Sequence, residues 1–323
     1  MSLAEIIPNK SIDKSLWNVF VSKNAGLVYH TWEWIAVLSE SYTRMENVSI
    51  ASSDGGIVTG IFPMISLNAY GLSYSLSLPS SSGGPVFQKS EDLNSALKHY
   101  LKSSNVVEIH TYSKLEIEGE SSVPHLLLPL SRDIDEIRSG YEKNVRNALK
   151  KAERNGVKIR ASSDDADIRD FYQIYEETVL TQAGPSRISL THIENVIKKL
   201  AEGTSLFLVA EIDHKIVGGL VGLFNDRNAF YWAAASRRGY NSSELLLDSL
   251  IEHSAGRADF LYLGGGRFGL KDSLYFFKSR WGAKEISAYR YHLVSGIKGK
   301  ALTALTGIAS HFPQVKEKMF ESR

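Results

Sequence analysis

Hydrophobic and polar positions along the chain switch repeatedly between a two-residue and a helical period, which predicts alternating strands and helices. The segment 48–64, VSIASSDGGIVTGIFPM, reads as strand, tight turn and strand, and so does 207–223, FLVAEIDHKIVGGLVGL. At an offset of 159 residues Ala51 matches Ala210, Asp54 matches Asp213, Ile57 matches Ile216, Val58 matches Val217 and Gly60 matches Gly219. Asp54-Gly55 supplies the turn in the first copy and Asp213-His214-Lys215 in the second. The order then repeats. The first copy continues with the loop PSSSGGP, the helical EDLNSALKHYLKSS and the strand VVEIHTY. The second continues with the strand AFYWAAAS, the loop RRGYNSS, the helical ELLLDSLIEHSAG and the strand FLYLGGG. Duplication of one α/β unit accounts for this shared order.

Between the copies lies a helical stretch. Ser131 is the expected N-cap of RDIDEIRSG and Gly140 its stop. In YEKNVRNALKKAERNGVKIR, Val145, Ala148, Leu149 and Ala152 share one helix face, while Lys143, Arg146, Lys150 and Arg154 crowd another. Further helices are expected over DDADIRDFYQIYEETVLTQ and over THIENVIKKLAEG, the latter capped by Thr191 with Glu194 at the capping-box position. The domain boundary is placed here, giving 1–140 and 141–323. The expected class is α+β, built as α/β three-layer units.

Composition narrows the chemistry. The 323 residues are 43% hydrophobic and 23% charged, as in a globular protein of two domains. A net charge of +1 confines any anion site to a local patch such as the basic helix, which composition alone reads first as a solvated face and second as a phosphate ridge. No cysteine is present, which excludes disulfides, thiolate metal sites and a cysteine nucleophile. The nine histidines form no H-E-x-x-H, and no G-x-S-x-G occurs, so neither a metal site nor a serine nucleophile is expected. His253 and His292 read as packed histidines. MSLAEIIPNKSIDK has no long apolar run, so neither a signal peptide nor a membrane span is expected; peripheral membrane contact stays open.

Two loops carry candidate chemistry. The stretch LGGGRFGLKDSLYFFKSRWG contains G-x-G-x-x-G in Gly264, Gly266 and Gly269. A dinucleotide fold needs this motif in its first βαβ unit, and too little chain follows to complete such a sheet. Gly264, Gly265 and Gly266 instead permit close approach of a substrate at a strand end, and Lys278, flanked by Phe277, is set to meet an anion. The other loop, Arg237, Arg238, Gly239, Tyr240 and Asn241, precedes a helix whose N–H groups suit a phosphate, with Asn241 or Ser242 as cap. Strand, loop, helix and strand in this order resemble the acyl-CoA core of the GNAT acyltransferases. The first glycine comes one residue early for that loop, which leaves acyl-CoA as a cofactor only under an alternative reading.

Three blocks, KNVRNALKKAERNGVKI, the helix NSSELLL and LGGGRFGLKDSLYFFKSRWGA, resemble the FemABX family of aminoacyltransferases and their FemAB-like relatives. YHTWEWIAVL is similar to the family's opening aromatic helix and brings Trp32 among the expected substrate contacts. The resemblance implies two GNAT-like domains in tandem. The coiled-coil arm of some members has no counterpart here. It implies a cytoplasmic enzyme that transfers an aminoacyl group from aminoacyl-tRNA to the amine of a phosphate-bearing cell-wall precursor. Lys278 then stabilises the oxyanion, Tyr231, Asp272 and Tyr275 are candidates for the base, and Lys143, Arg146, Lys150 and Arg237 meet phosphates. A CoA-dependent N-acyltransferase and a non-catalytic binding module remain as alternatives.

Overall fold

The computed structural model describes residues 5–24, 26–69, 71–78, 82–181, 188–225, 227–265 and 273–309. It divides into two compact units, Met1–Ser122 together with Ala288–Arg323, and Val123–Ser287. The division expected at 140/141 therefore differs from the one found. Leu126, Leu128 and Ile137 join Tyr141 and Val145 in the core of the second unit, so the apolar positions of 123–140 are committed there.

The first unit runs β1 (Glu5–Pro8), α1 (Lys14–Lys23), α2 (Trp32–Ser41), β2 (Met45–Asn47), β3 (Ile50–Asp54), β4 (Ile57–Phe62), β5 (Ile65–Ala69), β6 (Leu72–Leu76), β7 (Val86–Phe87), α3 (Ser90–Ser103) and β8 (Val106–Thr111). Strands β1, β3, β4 and β7 form one sheet in that order. Strands β2, β5, β6 and β8 adjoin in a second, with β6 and β8 parallel. Helix α3 buries Leu93, Ala96, Leu97 and Tyr100 against Ile50, Phe62 and Val107. The Tyr100 hydroxyl, too buried to reach water, donates to the Val48 carbonyl at 2.7 Å.

Strand β9 (Glu120–Pro129) leads into α4 (Ile134–Ser139), α5 (Lys143–Arg154), β10 (Lys158–Ala161), α6 (Asp165–Thr181), α7 (Leu190–Lys199), β11 (Ser205–Ile212), β12 (Lys215–Asn225), β13 (Asn228–Ser236), α8 (Ser242–Ser254), β14 (Phe260–Gly265) and α9 (Ser273–Ser279). Strand β15 (Lys284–Val294) returns the chain to the first unit, where α10 (Gly296–Ala309) follows. The sheet of the second unit has the order β10-β11-β12-β13-β14-β9, antiparallel except for β13 beside β14. Helices cover both faces. A Cβ on Gly219 would lie 2.6 Å from the Phe171 ring of α6, and one on Gly222 would lie 2.4 Å from Leu250 of α8. Glycine at these two positions lets the helices approach the strand from opposite sides, which gives the expected three layers.

The two hairpins of the repeat agree more closely in structure than in sequence. Gly55 and Gly56 turn the first and Asp213 and His214 the second, all four with positive φ. Each has a bulge at the same distance from its turn, between Ser52 and Ser53 and between Ala210 and Glu211. Matched on turn and bulge, Gly55 falls on Asp213, so the structural offset is one residue shorter than the sequence offset. Two caps also shift. Asp133, not Ser131, caps α4, and Ser189, not Thr191, caps α7, because each of these side chains accepts from a first-turn N–H.

Candidate active site

Strands β13 and β14 pair side by side only from Asn228–Phe260 to Phe230–Tyr262. Immediately beyond, both are bulged. Trp232 is the extra residue where β13 pairs with β12, and Leu263 is the extra residue where β14 pairs with β9. Paired bulges bend the two strands apart and re-aim the residues after them. The second bulge includes Gly264 at φ 71°, a conformation costly for any residue with a Cβ.

Lys278 fills this opening. Helix α9 buries Tyr275 and Lys278, three positions apart and hence on one face, while Phe276 is exposed. The Lys278 side chain is buried, its residue 5% exposed. Its Nζ donates to the Gly265 carbonyl at 3.2 Å and lies 5.0 Å from the centroid of the Tyr231 ring. A buried ammonium is costly unless dipoles and π-electrons replace water, and the carbonyl and the ring do so here. A Cβ on Gly264 would stand 3.8 Å from Nζ.

Beside this lysine opens a cavity of about 770 Å³. Its walls include Tyr231 and Ala234 to Ser236 of β13, the loop Arg237–Gly239, Asn241 to Glu244 at the start of α8, Glu177 of α6, and Phe277 of α9. Asn241 sits in the left-handed region at φ 57° and its side chain makes no capping bond, contrary to the expected cap. The Ser242 hydroxyl is buried without a hydrogen-bond partner. The start of α8, with this unsatisfied hydroxyl buried in its first turn, borders a cavity flanked by Arg237 and Arg238, an arrangement that suits an anion. Arg237 also reaches Glu177 at 3.7 Å. Glu244 lines the same wall, and burial raises its carboxyl above the usual range. Burial, with Glu244 nearby, holds the Tyr231 phenol far above its ordinary value.

Residues 139–272 match the model of the acetyltransferase (GNAT) domain. The fold is similar to that of FemX, with a TM-score of 0.70 and 14% identity, over 93% of this chain and 99% of that one. It is similar to a tandem GNAT protein from the clavulanic acid biosynthesis pathway, with a TM-score of 0.57 and 10% identity, over 91% and 99% of the two chains. L-PGS from Bacillus licheniformis is comparable, with a TM-score of 0.56 and 10% identity, over 94% and 97%. No curated protein matches the chain in sequence. The chain has a tandem GNAT-like fold, and the match to the GNAT domain model lies within its second unit.

Within the second unit Tyr231, Phe277, Arg237, Arg238, Gly239 and Asn241 line one cavity, and Lys278, with Gly264 and Gly265 beside it, packs against the Tyr231 ring. Tyr240 stands beside them, 37% exposed. Tyr275 differs from its expected part as a base: its hydroxyl donates to Glu285, and burial together with that carboxylate pushes it up to about 12. Lys143, Arg146 and Lys150 are exposed on α5 and do not line the cavity. Trp32 lies in the first unit, 8% exposed, with its ring 5.5 Å from that of Trp17. Asp272 and Gly266 lie outside the described residues. The expected packing of His253 and His292 is corrected too. Both are exposed, whereas His30 and His192 are the buried histidines among the described residues. Among the described residues no group of acids and histidines could hold a metal ion, and no helix is long and apolar enough to cross a membrane.

Sequence reading missed Glu244 and Ser242 as site residues. The signal was present: both belong to the first turn of the helix that follows the candidate phosphate loop. Their side chains were absorbed into the reading of a capped helix, which hid their access to the cavity.

Proposed function

We propose that the protein is an N-acyltransferase of FemAB-like type. It passes an aminoacyl group from the ester of aminoacyl-tRNA to the amine of a cell-wall peptide precursor or a similar acceptor. This chemistry would place it in the cytoplasm. The observation that carries the reading is the Lys278 ammonium held in the opening between β13 and β14, beside the cavity. Aminolysis of an ester passes through a tetrahedral oxyanion. A fixed cation in a site shielded from water stabilises that charge without reorganising, an effect worth about 3 kcal/mol for one donor. The similarity to a putative lysylphosphatidylglycerol synthetase domain, with a TM-score of 0.58 and 12% identity, points toward an aminoacyl cargo as well. Exposed Lys143, Arg146 and Lys150 supply phosphate contacts for the RNA part of the donor. Replacing Lys278 by Ala is expected to reduce transfer from an aminoacyl ester by about 100-fold. Transfer at the wild-type rate would exclude this reading.

A second reading, acyl-CoA as donor, is favoured by the start of α8, where the buried Ser242 hydroxyl and the neighbouring Arg237 and Arg238 suit a pyrophosphate. Calorimetric titration with CoA separates the two. Saturable binding lost on Arg238→Glu supports the thioester donor, and no heat supports the RNA ester.

A further inference from the structure

We infer that Glu244 is the proton acceptor for the attacking amine, an assignment that rests on the amide-forming reaction proposed above. Two carboxylates line the cavity among the described residues, Glu177 and Glu244. Glu177 is 62% exposed and faces Arg237 at 3.7 Å. Glu244 is half-buried and has no ion-pair partner among the described residues. Glu244 lines the same cavity as Tyr231, whose ring carries the Lys278 ammonium. A carboxylate suited to a proton and the aromatic support of a cation suited to an oxyanion thus border one cavity. Tyr231 cannot take the proton itself, since burial keeps its phenol protonated. The charges facing Glu244 are the phenol of Tyr231, the guanidinium of Arg280 and the first-turn N–H groups of α8, of which its own N–H bonds the carboxylate.

The step balances. The amine lone pair forms the C–N bond to the ester carbonyl carbon, and the carbonyl π-pair moves to oxygen beside Lys278. The ammonium proton of the resulting zwitterion passes to Glu244. As the carbonyl re-forms, the C–O bond to the donor breaks, and the departing alkoxide takes the proton back from Glu244. One ester and one amine give one amide and one alcohol, with the carboxylate restored.

The test uses the full chain with the alanyl ester of adenosine as donor and two acceptors, lysinamide and hydroxylamine. With lysinamide, Glu244→Gln is expected to lose about 100-fold or more in turnover and to lose the acid limb of the wild-type pH profile. With hydroxylamine, a far weaker base whose adduct sheds its proton to water, the loss should shrink to less than about 10-fold. Glu244→Asp keeps the charge and the capping geometry, and should retain the acid limb at a reduced rate. Lys278→Ala should be impaired with both acceptors. Wild-type turnover of Glu244→Gln while Lys278→Ala is inactive would overturn the assignment alone. So would an equal loss with both acceptors tracking a fall in melting temperature in both Glu244 variants, since that is the signature of a helix cap. If the wild-type chain transfers nothing from the ester to either acceptor, the proposed reaction falls and this assignment with it.

Discussion

The Lys278 ammonium lies over the face of the Tyr231 ring, 5.0 Å from its centroid. The ring therefore acts as a wall of π-electron density, and the phenol oxygen is not needed for that contact. The geometry results from the Trp232 bulge, which sets Tyr231 opposite Gly222 at the point where β13 leaves β14.

Tyr231→Phe preserves the ring face and is expected to hold turnover within about threefold of wild type. Tyr231→Leu removes the face and leaves the ammonium short of about 1–2 kcal/mol of stabilisation, a loss of about tenfold in turnover. Steady-state kinetics on the two variants, with melting temperature as a control, separates ring from hydroxyl. Inactivity of the Phe variant would return the phenol to the list of proton carriers.

Asp248 fixes the frame behind the site. It accepts two hydrogen bonds from Arg138, at 3.2 and 2.7 Å, and one from Tyr141 at 3.0 Å, joining α8 to α4 and the start of α5. The Tyr141 ring packs edge-on against Trp281, and Trp281 against Phe277 of the cavity wall. Asp248→Ala leaves a buried phenol without an acceptor and a guanidinium that is one-third exposed and can rehydrate. The expected cost is about 2–3 kcal/mol in urea unfolding, below that of breaking a fully buried pair. A cost under about 0.5 kcal/mol would mean that solvent already replaces these bonds.

The repeat and the helices were legible in sequence because each rests on local periodicity or on a motif of neighbouring residues. The strand order around the opening was not legible. It depends on bulges at Trp232 and Leu263, which no local pattern announces. The unit boundary shifted for a related reason: the apolar alternation in 123–130 shows that β9 is buried on one face, but not which unit buries it. Glu244 was hidden because an acidic residue in the first turn of a helix is already explained by the helix dipole.

Buried His30 predicts a pH dependence of stability arising in the first unit, alongside that of buried His192 in the second, whose pKa burial lowers to about 3. His30 accepts the Leu27 N–H on Nδ1 at 2.7 Å and donates from Nε2 to the Gly84 carbonyl at 2.9 Å. Burial lowers its pKa from 6.5 to about 4. The unfolded chain then binds more protons than the folded one between these values, so stability is complete above pH 6.5. It falls as pH drops toward 4 and levels off below, by about 3 kcal/mol in all for this residue. Urea unfolding of the wild type and of His30→Gln between pH 7 and 4 checks the sign. The variant should be less stable at pH 7 and should show a shallower slope, whereas parallel slopes would remove His30 from the account.

Helix α5 carries Val145 and Ala152 inward, and Lys143 and Lys150 outward with no ion pair to either among the described residues. Exposed cations of this kind add little to stability, so their removal should leave the fold intact. If they meet the phosphates of an RNA donor, each contributes through release of counterions, and the salt dependence of binding reports how many do so. Lys143→Gln combined with Lys150→Gln is expected to leave the melting temperature within about 1 °C, to weaken retardation of tRNA on a gel, and to reduce the slope of log K against log salt by about 2. Arg146 is a poorer choice for this experiment, because its guanidinium also bonds the Tyr141 carbonyl and its loss would disturb the frame at Asp248. An unchanged slope in the double variant would reduce α5 to a solvated face. The phosphate contacts would then fall to Arg237 and Arg238 at the cavity mouth.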